Sequence, residues 1–313
     1  MSYGRLDAMS RKPIVVVGSI NMDLVALAGH IPVGGETVLG TGFRTNPGGK
    51  GANQAVAVAR LGYPVAMMGL LGADDMGRQL RAHLEAVGVD TAGVGTVAGV
   101  SGVALITVAE NGENSIVVAP GANGAVTPEY VESQTERIRG AGMVLAQLEI
   151  PLESVMRLAE ICSKAGVPLM LDPAPARELP RELFPQVGWL TPNETEAAFY
   201  LGHASGVAEA SVAAAELQGR GVRGVVLKMG ARGAYLADGD GYSAAVKPFA
   251  VKAVDTTAAG DAYNGAFATA LMLGRTTVEA ARFAAAASAV SVTRAGAQSS
   301  MATMDEALAL LGA

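Results

Sequence analysis

The chain has 313 residues, of which 50% are hydrophobic but only 4% aromatic, and its formal net charge is −6 at pH 7. This length is sufficient for a large self-supporting core, and the acidic balance argues against a general nucleic-acid or anionic-membrane surface. Because Cys162 is the only cysteine, an intrachain disulfide is excluded, and we expect a reducing, cytoplasmic setting with small-molecule partners.

The N-terminal segment 1–12 is polar and lacks the apolar core of a signal peptide, so we interpret it as a disordered extension. No apolar run in the sequence reaches the roughly 18 residues needed to cross a bilayer. The remainder, 13–313, shows neither a solenoid-type repeat nor a low-complexity linker. We therefore treat it as one main domain.

Apolar β-branched segments alternate with Ala- and Leu-rich segments along the chain. The apolar segments predict strands at 14–20, 64–72, 143–149, 167–173, 188–194 and 224–230. The Ala- and Leu-rich segments predict helices at 51–62, 75–87, 152–165, 208–220, 260–273 and 277–292. This alternation predicts an α/β fold, a three-layer αβα Rossmann-like sandwich around a mostly parallel central sheet.

Two segments, 23–46 and 94–118, break the alternation because short strands follow one another through Gly and Asn-Gly turns. We expect them to form a small antiparallel sheet inserted in the domain. Such a sheet could act as a lid that excludes water from a reactive site. An ordinary extension of the main sheet fits the pattern equally well.

The first glycine-rich segment, NPGGKGANQA (46–55), leads into a predicted helix. Gly48, Gly49 and Gly51 leave backbone N–H groups accessible beside Lys50, which suits close approach by a polar ligand. The segment is not a Walker A loop, because Lys50 is followed by glycine rather than Ser or Thr. A tight turn without a ligand is the alternative.

The second glycine-rich segment, VDTTAAGDAYNGAF (254–267), carries a carboxylate at the start of a long predicted helix. Ala258, Ala259, Gly260 and Asp261 would present consecutive N–H groups to an anion at the positive end of the helix dipole. Asp261 could then accept the proton of an attacking hydroxyl while those N–H groups bind phosphoryl oxygens. The alternative is that Asp261 only caps the helix.

Further polar residues are predicted at carboxyl ends of strands or at helix starts: Asn21, Asp23, Asn53 and Glu149. Ligand crevices of open α/β sheets lie at those ends, and amides with carboxylates suit the vicinal hydroxyls of a polyol. Individually, each of them is also compatible with a cap or turn residue.

Asn193 and Glu196 stand three residues apart at a predicted helix start, on one helix face. Glu196 could hold Mg²⁺ through water, since this ion keeps much of its hydration shell. The alternative is a capping box with no ligand.

Six motifs together carry a family resemblance: GSINMDLV, GGKGANQAVA, PAPARELP, TPNETEA, AVDTTAAGD and VTRAGAQSS. With them the chain resembles the ribokinase and phosphofructokinase-B family of carbohydrate kinases over nearly its whole length from about residue 13. The resemblance implies transfer of the ATP γ-phosphate to a sugar hydroxymethyl group. Because GGKGANQA is closer to the ribose-specific members than to fructokinases or adenosine kinases, it implies D-ribose and its 5-hydroxyl.

The resemblance also implies a role for each matching position. Asp261 would be the general base, with the anion hole supplied by Ala258, Ala259 and Gly260. The sugar would contact Asn21, Asp23, Gly49, Lys50, Asn53, Glu149 and Asp261. ATP would contact Asn193, Lys228, Gly230, Arg232, Gly233 and Gly260, while Glu196 would organise Mg²⁺ through water. An activating K⁺ would bind at Asp255, Thr257, Ser291, Arg294, Gly296 and Ser300, unless Asp255 and Arg294 merely pair.

Two positions depart from the family pattern, and both concern the nucleotide. Lys228 stands where Thr is common, and Ala285 stands where a His can lie near adenine. For Lys228 a solvated ammonium is the ordinary expectation, although it could add charge at the phosphates. A kinase for another sugar, such as deoxyribose or a ketohexose, and a non-catalytic sugar- or nucleoside-binding regulator remain the alternatives. We also expect a homodimer, because pairing would cover the lid's edge strands.

Overall fold

The computed structural model describes residues 11–203, 206–207 and 209–312, which contain thirteen strands and ten α-helices. The strands are β1 (Ile14–Val17), β2 (Asn21–Ala28), β3 (Gly42–Gly48), β4 (Val65–Gly72), β5 (Asp90–Val97), β6 (Gly102–Ala109), β7 (Asn114–Ala119), β8 (Met143–Ala146), β9 (Leu169–Leu171), β10 (Trp189–Leu190), β11 (Gly224–Lys228), β12 (Ala234–Ala237) and β13 (Ser243–Val246). The helices are α1 (Lys50–Arg60), α2 (Asp75–Ala86), α3 (Pro128–Ser133), α4 (Thr135–Gly140), α5 (Leu152–Ala165), α6 (Glu194–Leu201), α7 (Ala210–Gly219), α8 (Ala259–Met272), α9 (Thr277–Ser291) and α10 (Met304–Gly312).

Nine strands form one large sheet in the order β13-β12-β11-β10-β9-β8-β1-β4-β5. The strands from β11 to β5 run parallel to their neighbours, whereas β12 and β13 add an antiparallel edge. The chain extends the sheet from β1 in both directions, so the boundary between β1 and β8 is a topological switch point. In open α/β sheets the ligand crevice lies at the carboxyl ends of strands at such a point.

Helices cover both faces of this sheet and bury its alternating side chains. In β1, Ile14 and Val16 belong to a core cluster shared with α1, α8 and α9, whereas Val15 and Val17 belong to a second cluster shared with α5 and α7. Successive residues of a strand point to opposite faces, so one fully apolar strand serves both cores. The predicted three-layer αβα fold is confirmed.

The smaller sheet contains four strands in the order β3-β2-β6-β7. Its edge pairs are antiparallel, but the central pair β2–β6 is parallel, so the sheet is mixed rather than purely antiparallel as predicted. Of the predicted segment 94–118, the first residues differ as well. Val94–Val97 lie in β5, which pairs with β4 in the large sheet. Helix α2 forms the crossover between these two parallel strands.

The six predicted helices are present as α1, α2, α5, α7, α8 and α9, with ends within about two residues of the prediction. Ala208, the predicted start of α7, lies outside the described residues, as do residues 1–10 of the predicted extension. Arg11 and Lys12 contact Tyr63, through a cation–π contact of 5.8 Å and a hydrogen bond from the Tyr63 hydroxyl to the Lys12 carbonyl of 3.1 Å. Among the described helices, none combines the length and the apolar character that a bilayer crossing requires.

Candidate active site

Asp261 lies in the first turn of α8 and is 4% exposed. Its two carboxylate oxygens accept hydrogen bonds from α1, from Asn53 Nδ2 at 3.0 Å and from Gln54 Nε2 at 3.1 Å. The helix itself is capped by Ala258, without a side-chain hydrogen bond. The alternative that Asp261 only caps α8 is therefore wrong, because its side chain is held against α1.

Burial raises the pKa of Asp261 to about 6, although Lys50, Asn53 and Gln54 act in the opposite direction. For Lys50, burial alone would lower the pKa of the ammonium, but the charges of Asp261, Asp172 and Glu149 raise it well above its ordinary value. The site thus pairs a permanently charged Lys50 with a carboxyl group that ionises just below neutral pH. A general base works best with a pKa near the operating pH.

The start of α8 offers N–H groups to an anion, as its sequence predicts. Ala258 has φ 57° and ψ 16°, a left-handed conformation that Ala rarely adopts and that turns the chain sharply into the helix. The Ala259 N–H already donates to the Thr256 carbonyl at 3.2 Å. The N–H groups of Gly260 and Asp261 lie in the first turn, where a helix provides no acceptor. An anion hole here depends mainly on those two groups.

The small sheet delivers the predicted sugar-binding residues to this point. β1 ends at Val17, and Asn21 and Asp23 begin β2 rather than ending the first strand. Asn21 pairs with Gly48 and Asp23 with Asn46, so β3 returns the chain directly to α1. At the junction, Gly49 has φ 88°, and a Cβ there would lie 2.7 Å from the Asn21 nitrogen. Only glycine fits this turn.

Glu149 lies just beyond β8, across the switch point from the end of β1. Its Oε2 accepts hydrogen bonds from the Ser19 hydroxyl and, at 3.1 Å, from the Lys50 backbone N–H. Asn53 is also engaged, because its Oδ1 accepts from Gln298 Nε2 at 3.1 Å while its Nδ2 bonds to Asp261. The structure thus places Asp23, Lys50 and Asn53 within interaction range of Asp261. The other predicted sugar-binding residues adjoin these, with Glu149 bonded to the Lys50 N–H and Asn21 beside Gly49.

Asp23 is only 9% exposed and lies near two further carboxylates. Burial, followed by the charges of Glu149 and Asp261, raises its pKa from 3.8 to about 7. Between about pH 4 and 7, Asp23 therefore stays protonated in the folded protein but is ionised in the unfolded chain. The stability that the folded protein has with a neutral Asp23 is fully present below pH 3.8. It decreases as the pH rises above 3.8 and is lost as the pH passes through 7.

Replacing Asp23 by Asn is therefore expected to stabilise the ligand-free protein more at pH 8 than at pH 5, because the stability lost by keeping Asp23 in a buried site grows between pH 3.8 and 7. We expect the melting temperature at pH 8 to rise by on the order of 5 °C in calorimetry. The exposed Asp240→Asn serves as the matched control and should leave it unchanged. An equal shift at both pH values, or a decrease at pH 8, would contradict this account.

Asn193 and Glu196, the residues predicted to contact ATP and Mg²⁺, form the capping box of α6 that the sequence left as an alternative. Glu196 N–H donates to Asn193 Oδ1 at 2.8 Å, and Asn193 N–H donates to Glu196 Oε2 at 2.8 Å. Burial, together with the charge of Asp172, raises the pKa of Glu196. Asn193 also forms a parallel bridge with Lys228, so the capping box lies beside the end of β11.

Lys228 is not solvated, and the ordinary expectation for it is wrong. Its side chain is 13% exposed, and its Nζ lies 2.9 Å from Oδ1 of the buried Asp172. Asp172 Oδ2 in turn accepts from Gln54 Nε2 at 3.1 Å, the same amide nitrogen that bonds to Asp261. A Cβ placed on Gly260 would lie 3.2 Å from Lys228 Nζ, so the ammonium stands directly at the start of α8.

The remaining predicted nucleotide positions lie in the turn after β11. Gly230 and Gly233 flank a short 3₁₀ turn, and Arg232 forms an ion pair with Glu194 at the start of α6. Ala285 is buried in α9 within the core cluster that includes α8. These contacts place the turn next to Asn193 and Glu196, whereas Ala285 presents no polar group to a ligand.

Two of the predicted cation positions, Asp255 and Thr257, lie in the segment that precedes α8, and Gly296 is bonded to it. Asp255 accepts hydrogen bonds from the Thr257 N–H at 2.9 Å and the Gly296 N–H at 2.8 Å. Burial would raise the pKa of Asp255, but these bonds lower it, so the carboxylate is ionised. Arg294 pairs with Glu306 rather than with Asp255, so the alternative of a simple Asp255–Arg294 pair is wrong.

The last two predicted cation positions make local bonds. The Ser291 hydroxyl donates to the Ser288 carbonyl at 2.8 Å, and the Ser300 hydroxyl donates to the Ala297 carbonyl at 2.8 Å. Both side chains are 1% exposed. Each hydroxyl thus gives its hydrogen to the backbone, while the lone pairs of its oxygen stay available to a cation.

Sequence reasoning missed four buried polar residues that hold the site together: Gln54, Gln147, Asp172 and Gln298. Gln147 Nε2 donates to Gln54 Oε1 at 2.7 Å, so the Gln54 amide is fixed with its nitrogen toward both carboxylates. A signal was available for Gln147 and Asp172. Each is a polar residue at the end of an apolar strand, where the ligand crevice of the sheet lies.

Comparison with known proteins places this geometry in a family. A model of the pfkB family carbohydrate kinases matches residues 11–304. A ribokinase of Haemophilus influenzae is 42% identical over 303 residues, covering 96% of this chain and 99% of that protein. A deoxyribokinase of Salmonella typhimurium is 36% identical over 94% of this chain and 96% of that protein.

The same relationship holds in three dimensions. A solved structure of Arabidopsis thaliana ribokinase, complexed with ribose and ATP, superimposes with a TM-score of 0.89 at 36% identity. The alignment covers 96% of this chain and 99% of that one. Sequence motifs, fold and family model agree from the first strand to α10, and the chain belongs to the pfkB family of carbohydrate kinases.

Proposed function

We propose that this kinase transfers the γ-phosphate of ATP to the 5-hydroxyl of D-ribose, giving D-ribose 5-phosphate and ADP. One observation carries the proposal: the buried Asp261 lies between the amides of α1 and the first N–H groups of α8. A carboxylate in this position can accept a hydroxyl proton while the adjacent N–H groups bind the transferring phosphoryl group.

The proposed mechanism uses positioning and electrostatics. The sugar lies between β2 and the start of α1, with its hydroxymethyl group at Asp261. Asn53 and Gln54 fix the carboxylate so that a free lone pair faces the attacking hydroxyl. The phosphoryl oxygens meet the N–H groups of Gly260 and Asp261, with the ammonium groups of Lys50 and Lys228 nearby. Direct in-line attack requires no phosphoenzyme.

Mg²⁺ and K⁺ are the ions that this proposal implies. Both oxygens of Glu196 already bond to Asn193, which suits a contact to hydrated Mg²⁺ through water rather than direct ligation. Mg²⁺ would neutralise charge on the ATP phosphates. The ionised Asp255, with backbone carbonyls of residues 291, 294 and 296, offers the oxygen ligands that suit K⁺. Since Asp255 and Thr257 immediately precede α8, this site can orient the anion hole.

The small sheet would serve as the lid and as a dimer interface. Five of its apolar side chains are at least 43% exposed: Phe43, Leu105, Ile116, Val117 and Val118. An exposed apolar sheet with open edge strands requires a cover, and a second copy supplies one with matching strands. Cys162 is buried and burial raises its pKa to about 12, so its thiol stays protonated and unreactive.

Replacing Val117 by Asp is expected to convert the dimer into a monomer, because a charge would then lie in the apolar interface. Light scattering during gel filtration at micromolar concentration measures this. Val212→Asp, which changes an exposed valine of α7, is the matched control and should leave the dimer intact. A wild-type monomer, or a dimer that survives the Val117 change, would count against the interface.

The experiment for the function itself is ADP release with D-ribose, 2-deoxy-D-ribose and D-fructose, in Mg²⁺ with K⁺ or Na⁺. We expect kcat/KM to be highest for D-ribose and higher in K⁺ than in Na⁺. A preference for deoxyribose, which the deoxyribokinase relative makes a specific alternative, would move the substrate and keep the chemistry. No turnover on any sugar would favour a non-catalytic binding protein.

A further inference from the structure

The amide of Asn123 connects the two places where the small sheet joins the large domain. Asn123 lies in a short 3₁₀ turn after β7, and Ile20 and Asn21 lie where β1 passes into β2. Asn123 Oδ1 accepts from the Ile20 N–H at 2.9 Å, and Asn123 Nδ2 donates to Asn21 Oδ1 at 2.6 Å. Asn123 is 1% exposed and Asn21 is 2% exposed.

These bonds leave one orientation for both amides. A backbone N–H can only donate, so the Ile20 N–H fixes the oxygen of Asn123 and turns its NH₂ group toward Asn21. Asn21 must then present its own oxygen to Asn123 and its NH₂ group to the opposite side. Among the described residues, no protein acceptor is hydrogen-bonded to Asn21 Nδ2.

The backbone of β6 holds the amide pair in this state. A Cβ on Gly102 would lie 2.1 Å from Asn123 Nδ2 and 2.3 Å from Asn21 Oδ1. The glycine therefore lets β6 pack directly over the hydrogen bond between the two amides. Asn21 and Asp23 stand two apart on β2 and so point to the same face, one as a donor and one as an acceptor.

We propose that Asn123 is a positioning residue for sugar specificity: it fixes Asn21 as a hydrogen-bond donor to a sugar hydroxyl that donates to Asp23. This inference rests on the proposed sugar kinase function. A hydroxyl whose hydrogen is committed to Asp23 still has lone pairs to fill, and the fixed NH₂ group of Asn21 fills one. A sugar without that hydroxyl leaves two buried polar groups unpaired, which disfavours its binding.

The test compares Asn123→Asp with Asn123→Ala, using the sugar that the wild-type enzyme turns over best. Asp keeps the bond from the Ile20 N–H but offers Asn21 a second oxygen, so the Asn21 amide must rotate and present its oxygen to the sugar. We expect the KM for the sugar to rise about 10- to 100-fold with kcat within about threefold of wild type. Asn123→Ala removes these bonds, together with a longer one of 3.4 Å from Asn123 Nδ2 to the Ile20 carbonyl, but leaves Asn21 free. Its KM should therefore rise less while its melting temperature falls more.

Which of the two variants has the higher KM separates this role from a merely structural one. A residue needed only for folding would make Asn123→Ala worse in both KM and stability, and that result would overturn the inference. The substrates are the best sugar and its 2-deoxy and 3-deoxy analogues, and the KM penalty of Asn123→Asp should shrink for the analogue that lacks the hydroxyl facing Asn21. The control is Asn111→Asp, which makes the same change at an exposed turn residue and should leave KM unchanged. A wild type without sugar turnover would refute the proposed function itself, which is a different result.

Discussion

Replacing Asp261 by Ala is expected to lower kcat by about 10³-fold or more, because the attacking hydroxyl loses its proton acceptor. Binding of sugar and ATP should persist, since Asn21, Asp23, Glu149 and the turn after β11 are untouched. Steady-state turnover and titration calorimetry measure the two effects separately. A non-catalytic binding protein would show no turnover to lose.

The control for Asp261→Ala is Asp238→Asn, another carboxylate that is 8% exposed but bonds to Tyr242 and Thr277 rather than to the site. It should leave kcat unchanged. In the wild type, kcat/KM should fall as the pH decreases through about 6, since the pKa of Asp261 is about 6 and only its ionised form accepts a proton. The same decrease in kcat/KM below about pH 6 should remain in the Asp23→Asn variant, because it arises from Asp261 and not from Asp23. A variant of Asp261 with near-normal turnover would refute its role as the base.

The second large effect is expected for Lys228→Met, which removes the ammonium at the start of α8. We expect kcat to fall about 10²- to 10³-fold, as for the loss of one preorganised group at a developing charge. The same change leaves Asp172 buried without its partner, which destabilises the protein by roughly 3–5 kcal/mol. Thermal unfolding and turnover must therefore be measured on the same samples.

The double variant Lys228→Met with Asp172→Asn separates the two consequences. It removes the unpaired charge, while the oxygen of the new amide at position 172 can still accept the bond from Gln54. Stability should return, whereas kcat should remain low. If kcat also returns to that of Asp172→Asn alone, Lys228 only neutralises Asp172 and has no part in phosphoryl transfer.

Much of the fold could be predicted because its signals are local. Apolar strands buried on both faces and Ala-rich helices are visible in any short window, and the two glycine-rich segments mark the starts of α1 and α8. The mixed small sheet was not predictable in this way. The parallel pairing of β2 with β6 joins residues about eighty positions apart, and nothing local distinguishes β5 from the strands that follow it.

The candidate site was predicted in part for a similar reason. Asp261 and the residues of GGKGANQA carry recognisable motifs, but the partners that orient them do not. Gln147 fixes Gln54 across 93 positions, and Asn123 fixes Asn21 across 102 positions. Lys228 was expected in solvent because its partner, Asp172, lies 56 positions away on another strand. Such pairs become visible only when the sheet brings the strand ends together.

The most direct test of the proposed function is to follow the product of ATP and [5-¹³C]D-ribose by ³¹P NMR. The account predicts one new phosphomonoester signal that is split by coupling to the labelled carbon, formed together with ADP. A product signal without that coupling would place the phosphate on another hydroxyl and contradict the assigned position. Release of inorganic phosphate without any sugar phosphate would contradict the kinase mechanism altogether.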